Sequence, residues 1–264
     1  MAETRIKVPE DIKSFLEVEN CSDFNENRYF IIQEQVDLIK EILRMRNVTE
    51  EIRNVHKIGY LNSTLLYGPT GTGKTTLCKF IAYKLNLDFA YVNFAKVVDG
   101  MFGNTARNID KVFKFMADNE CVFVLDEIDC IATKRGSESA ASGGELSRIT
   151  ITLMQELDYY KSHKVNSIII GCTNVVDLLD PALRSRFAME KEIRLLKNDE
   201  KKGFCYKYLD DVGVPYDKKN IDLYCSRNNM VTQRKMESDM IRAIARWLLS
   251  NKEEPFVLKN IEGV

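Results

Sequence analysis

Gly68-Pro69-Thr70-Gly71-Thr72-Gly73-Lys74-Thr75 lies between an apolar run, Thr64 to Tyr67, and a helical pattern that opens at Thr76. It satisfies G-x-x-x-x-G-K-[ST], the spacing of a phosphate-binding loop. The glycines let the backbone fold back so that successive N–H groups point at phosphate oxygens, and the following helix adds its positive N-terminal end. Lys74 is placed to reach the β- and γ-oxygens, Thr76 to continue the cradle, and the Thr75 hydroxyl to ligate Mg²⁺.

Outward from the loop, strand and helix patterns alternate. Leu77, Phe80, Ile81 and Leu85 give one face of a helix, and Phe89 to Val92 reads as a strand closing on Asn93. A turn at residues 99–104 leads to a helix with Ile109, Val112, Phe113 and Met116 on its apolar face. Cys121 to Leu125 is unbroken apolar chain, as a strand buried on both sides requires, and it runs directly into Asp126-Glu127-Ile128-Asp129. Adjacent acids at the end of a buried strand are costly unless something neutralises them, and a metal-bound nucleotide does so. Asp126 is therefore expected to support Mg²⁺ and Glu127 to polarise an attacking water.

The stretch from Thr133 to Gly144 is small and polar, and reads as an exposed loop. The next helix is expected to turn Leu146, Ile149, Ile151, Leu153, Met154 and Leu157 inward. A fourth strand, Ser167 to Cys172, ends on Thr173-Asn174, whose amide can hold the lytic water or read the γ-phosphate. Arg184 and Arg186 follow on a short helical segment after Pro181, and Lys191 to Leu195 closes a five-stranded parallel sheet. The expected fold is a three-layer α/β/α nucleotide-binding domain over residues 29–196, with helices on both faces of the sheet. A small all-α domain over 197–264 follows, and residues 1–28 form a charged arm, disordered alone or ordered against a neighbour. From Tyr29 to Arg46 apolar residues recur at helical spacing.

Composition sets broader bounds. Lys and Arg total 38 against 39 Asp and Glu, so no long-range field favours nucleic acid or an anionic membrane, and nucleic-acid contact stays open. The N-terminus lacks an apolar h-region and the longest apolar runs are strand-sized, so neither signal peptide nor membrane span is expected, and the location expected is cytoplasmic. Seven cysteines without a C-x-x-C pair read as reduced, mostly buried thiols.

Taken together, residues 30 to 250 resemble an AAA+ ATPase of the AAA subfamily of oligomeric remodelling ATPases. Leu65 to Thr75 is similar to that family's Walker A segment, with Thr70 where a second Pro is commoner. Phe123 to Asp129 is similar to Walker B, Thr173-Asn174 to sensor 1, and Asp180 to Phe187 to the region that carries arginine fingers. The resemblance implies ATP and Mg²⁺ as ligands, and ATP hydrolysis with Glu127, Asn174 and Lys74 in one copy and Arg184 and Arg186 reaching the site of the next. It further implies a homo-oligomeric ring, most often a hexamer, acting on a macromolecular substrate, protein first, with a separate adaptor or effector chain. Asn93 matches the position of a switch residue that holds the Walker B Glu. Met101-Phe102-Gly103 lies where relatives carry a pore loop, with its residue order departed from. Where the subfamily usually has Ser-Gly-Ala-Asp, this chain reads Thr232-Gln233-Arg234-Lys235, and Arg234 resembles the sensor 2 arginine of other branches. The competing expectation is an ATP-switched module that recruits a nuclease, protease or transposition enzyme. A metabolite kinase would leave the two arginines unused.

Overall fold

A computed structural model describes residues 4–99, 105–130, 143–163 and 165–258. Met101, Phe102, Gly103 and most of the polar loop lie outside the described residues. Along the chain run β1 (Leu16–Asn20), α1 (Gln33–Asn54), β2 (Ser63–Tyr67), α2 (Lys74–Leu85), β3 (Asp88–Asn93) and α3 (Phe94–Asp99). They are followed by α4 (Thr105–Asp118), β4 (Cys121–Asp126), α5 (Gly143–Lys161), β5 (Ile168–Thr173), α6 (Pro181–Arg184) and β6 (Met189–Glu192). Three further helices complete the order: α7 (Asn198–Val212), α8 (Lys218–Arg227) and α9 (Gln233–Leu249).

The strands form a single sheet in the order β1-β3-β4-β5-β2-β6. Five are mutually parallel, as the strand-helix alternation predicts. The sixth is β1, antiparallel to β3 with Leu16 opposite Val92 and Asn20 opposite Asp88, which corrects both the five-strand count and the reading of residues 1–28 as an arm. Several contacts seat this segment. Ile6, Ile12, Phe15 and Leu16 are buried, and the buried Asp88 carboxylate accepts the N–H groups of Arg5 at 2.7 Å and Ile6 at 3.1 Å. Glu17 and Glu19 on the outward face pair with Lys96 and Lys79. The last strand is also corrected. It spans Met189–Glu192 rather than 191–195, and Leu196 is buried in a separate, all-helical core.

The described residues separate into two compact units. The first comprises residues up to 24, 37–68 and 74–192; the second comprises 25–36, 69–73 and the chain from 193 on. In the first unit the apolar residues of β4 and β5 are buried, and Cys121, Phe123, Leu125 and Ile169 meet Phe113 and Met116 of α4 and Leu153 and Leu157 of α5 in one core. Ile151, expected inward, is 39% exposed. Gly171, in the middle of β5, is held small by its neighbours, since an added Cβ would stand 2.7 Å from the Phe187 ring and 3.3 Å from Ile128. Gly171→Ala is therefore expected to destabilise the fold by about 1–3 kcal/mol, the usual cost of overpacking. Urea denaturation should show a lower midpoint at unchanged slope; an unaltered midpoint would mean the ring moves aside freely.

In the second unit Cys205, Leu209, Ile221, Tyr224, Met236 and Met240 of α7, α8 and α9 share a core. Buried polar groups are satisfied inside it: Tyr224 donates to Asp239 at 2.8 Å, and the ammonium of Lys201 donates to the Asn228 carbonyl at 2.7 Å, closing the end of α8. Arg194 bridges Glu34 and Glu200, both at 2.7 Å. Among the described residues no helix is long and apolar enough to cross a membrane.

Candidate active site

The parallel register brings three strand ends to one edge of the first unit. Tyr67 of β2 lies opposite Thr173 of β5, and Leu125 of β4 lies opposite Gly171, so Gly68, Asn174 and Asp126 leave the sheet side by side. Open parallel sheets bind ligands at the carboxyl ends of their strands. The loop between β2 and α2 takes a shape that only glycine adopts without strain, with φ of +143° at Gly68, +80° at Gly71 and +86° at Gly73. Within that loop the Thr72 hydroxyl donates to the Pro69 carbonyl at 2.9 Å. Pro69, Thr70 and Thr76 are exposed, whereas Thr72 is buried.

Lys74 is the first residue of α2 and is only 7% exposed. Its ammonium donates to the Gly68 carbonyl at 2.7 Å and to Asn174 Oδ1 at 2.8 Å. Thr75, one residue on, donates its hydroxyl to Asp126 Oδ2 at 3.0 Å. The motifs read separately from the sequence, 51 and 100 residues apart, thus meet through side-chain hydrogen bonds. The other Asp126 oxygen accepts the Glu127 N–H at 2.9 Å. Glu127 has φ of +55° with an exposed side chain, a conformation that costs a non-glycine residue about 1–3 kcal/mol and that concentrates at functional sites.

Tyr91 is a neighbour that the pattern alone does not announce. Burial, then the charges of Asp126 and Glu127 and a hydrogen bond to Asp126, push its phenol well above the ordinary range, so it stays a neutral donor beside the acid pair. The signal available for it is its place two residues before Asn93 in β3. Asn93 itself lies opposite Asp126 in the β3–β4 register. Behind the loop, Cys78 of α2 and Cys172 of β5 are buried with sulfurs 3.9 Å apart, and the thiol contact together with burial raises Cys172 well above the usual thiol range.

The two arginines bond elsewhere. Arg184, closing α6, donates to Glu190 at 2.6 Å, and that bond raises its pKa. Arg186 donates to Asp158 at 2.8 Å and to the Ala182 carbonyl at 2.6 Å. Their hydrogen bonds therefore go to Glu190, Asp158 and Ala182 and not to Lys74, Thr75 or Asp126. In the second unit, the Arg234 N–H donates to the Gly71 carbonyl at 3.1 Å, and a Cβ on Gly71 would stand 3.0 Å from Thr232 Oγ1 and 3.1 Å from Arg234 Cβ. The first turn of α9 thus rests on the phosphate loop through its backbone, with the Arg234 side chain exposed.

The model of the ATPase family associated with various cellular activities (AAA) matches residues 64–195, half of the 264-residue chain, and covers every element of this edge. The chain belongs to the AAA family. Among curated AAA relatives, it is 31% identical over 188 residues to a proteasome-activating nucleotidase of Methanococcus maripaludis, covering 70% of this chain and 46% of that protein. It is 28% identical over 203 residues to a probable 26S proteasome regulatory subunit 10B of Caenorhabditis elegans, covering 76% of this chain and 46% of the relative. The chain thus matches about half the length of those curated relatives. A solved AAA fold, the FIGL-1 AAA domain, superposes with a TM-score of 0.71 at 18% identity over 95% of this chain and 86% of that one.

Proposed function

We propose that this AAA chain binds ATP with Mg²⁺, hydrolyses it at a pocket completed by a second copy, and couples turnover to work on a protein substrate. The observation that carries the nucleotide reading is the hydrogen-bonded set Gly68–Lys74–Asn174 beside Thr75–Asp126. Lys74 and the loop amides are suited to triphosphate oxygens, because a buried ammonium already desolvated at the start of a helix has little hydration left to lose.

The Thr75 hydroxyl and the Asp126 carboxylate fit Mg²⁺, which takes hard oxygen donors and completes its shell with water and phosphate. When bound, the metal supplies charge neutralisation on the phosphates. The chain's own contributions are then separable. Asp126, steadied by the Glu127 amide, stays a fixed acceptor. Glu127 takes a proton from water. Asn174, whose Oδ1 is engaged by Lys74, keeps its NH₂ group to orient that water. Tyr91 supports Asp126, and the family resemblance gives Asn93 the part of the switch that holds Glu127 back. Arg186, with Arg184, completes the site of the adjacent copy in a ring, for which a hexamer is the family expectation. Arg234 senses the γ-phosphate. Protein as the substrate rests on the relatives, which are named for the proteasome; a separate adaptor chain, Met101-Phe102-Gly103 as the gripping loop, and a cytoplasmic site of action belong to the same reading.

Lys74→Ala tests it most directly. Removing the ammonium should weaken ATP binding about tenfold or more, since hydrogen bonds to charged groups contribute roughly 1.5–3 kcal/mol. Isothermal titration at fixed Mg²⁺ reads this, with circular dichroism confirming an intact fold. Unchanged affinity in a folded variant would remove the loop from the nucleotide site.

A further inference from the structure

Residues 255–258, Pro-Phe-Val-Leu, lie beyond α9 and have no part in the nucleotide chemistry above. Two of them are core residues all the same: Phe256 is 5% exposed and Leu258 3%, and both join the cluster that holds Ile221 and Tyr224 of α8. Val257 between them is only half-buried, so the side chains alternate in and out as they do along a strand. The backbone is read as well. Asn220 of α8 accepts the Leu258 N–H at its Oδ1, 2.8 Å away, and donates from Nδ2 to the Leu258 carbonyl at 3.4 Å. One side chain thus takes both main-chain groups of one residue while two apolar anchors fill the core. Extended peptides are bound in this way, with main-chain bonds for affinity and pockets for alternate side chains for specificity. Pro255 fixes its own φ and biases Glu254 toward extended backbone, so little freedom is left to lose on docking.

The link to α9 is built differently. Residues 251–255 are all exposed, and Asn251 and Lys252, adjacent and neither of them glycine, have φ of +54° and +67°. That turn reverses the chain, with the Lys252 N–H donating to the Trp247 carbonyl at 3.1 Å. Strain in such a link is relieved when the segment leaves its own helices, and exchange of an identical element between copies is a low-cost route to association. Extended, residues 250–255 reach about 20 Å. Resting on the shared-pocket reading, which brings copies side by side, we infer that the second unit holds a docking groove for an extended aromatic-x-aliphatic segment, and that residues 255–258 of a second copy fill it in the assembled protein. A second copy is the occupant because it carries the same Phe-x-Leu pair after the same proline, and assembly keeps it at high effective concentration. Asn220, Ile221 and Tyr224 all belong to the second unit, so the exchange ties copies together through residues other than Lys74, Asn174 or Arg186.

The test follows which copy the segment touches. Full chains carrying Val257→p-benzoylphenylalanine, a photo-crosslinker at the half-buried position, are mixed with an equal amount of ¹⁵N-labelled unmodified chains, assembled with Mg²⁺ and ATP, illuminated and digested for mass spectrometry. About half of the cross-links from position 257 to α8 should reach labelled peptides, the share that free exchange between equal populations gives. Asn220→Ala in the labelled chains should lower that share roughly threefold or more, as the loss of a neutral hydrogen bond requires, whereas mere proximity would leave it unmoved. Circular dichroism confirms that the variant is folded. Cross-links confined to unlabelled chains, in a preparation that sediments as an assembly, would overturn the exchange, and so would mixed cross-links indifferent to Asn220→Ala. Single copies at every concentration with ATP present would instead overturn the shared-pocket reading on which the exchange rests.

Discussion

Arg186→Ala should lower ATP turnover by roughly 10³–10⁵-fold, the range that an arginine finger contributes to phosphoryl transfer, while leaving ATP affinity nearly unchanged. The side chain is well suited to such a part, because its partners are weak ones. Asp158 is 48% exposed at the side chain and Arg186 26%, and ion pairs of that exposure contribute about 0–1 kcal/mol. Releasing Asp158 to meet a phosphate therefore costs little, and deleting the side chain should leave thermal stability almost where it was. Arg184 is held by Glu190 at a similar exposure, with both side chains 32% exposed. A mixing experiment separates action in the neighbouring copy from action within one. Lys74→Ala keeps Arg186 but loses its own pocket; Arg186→Ala keeps its pocket but loses the finger. Combined, the two inactive variants should regain turnover, in proportion to the fraction of interfaces that join an intact pocket to an intact arginine. Full activity of Arg186→Ala alone, or a mixture as inactive as its parts, would sink the shared-site reading.

What the sequence made legible follows from how local each constraint is. The loop is readable because three positions need positive φ, and glycine at Gly68, Gly71 and Gly73 is the direct imprint of that need. The strands β4 and β5 are readable because a strand buried on both faces has no polar positions to spare. Their acids and amide follow at the carboxyl ends, where the chain first meets solvent, so Asp126, Glu127 and Asn174 come with the strands. β1 is harder to read, because Leu16–Asn20 has charged residues at alternate positions and is stabilised by groups from far along the chain: Asp88 for the backbone of Arg5 and Ile6, Lys79 and Lys96 for its two glutamates. Its edge position explains its composition, since outward charges protect an edge strand from pairing with other chains. The end of the sheet shifts for a related reason. Ile193 lies inside the expected strand, 191–195, but the second unit begins there, and Leu196, just beyond that strand, is buried in the helical core. Tyr91 escapes the motif reading because it belongs to no motif. It is significant through its contact with Asp126.

Glu127→Gln should cut hydrolysis by about 10²–10⁴-fold, the usual contribution of a positioned general base, and hold ATP in place. The substitution removes one function selectively. Glutamine has the same length and volume and can adopt the φ of +55° at no greater cost, so the backbone that donates to Asp126 stays put and the Thr75–Asp126 pair is undisturbed. Only the capacity to take a proton is lost. Binding measured by titration should match that of the unmodified chain, while phosphate release measured under the same conditions falls to background. The contrast with Asp126→Asn is informative, because that change weakens the acceptor that Thr75 and the Glu127 amide share, and so should reduce Mg²⁺-dependent affinity as well as rate. If Glu127→Gln lost affinity in the same measure as rate, the acid would be holding the loop's geometry. If it hydrolysed ATP at the unmodified rate, the proton would have to leave through another group, and Glu127's strained backbone would need a different explanation.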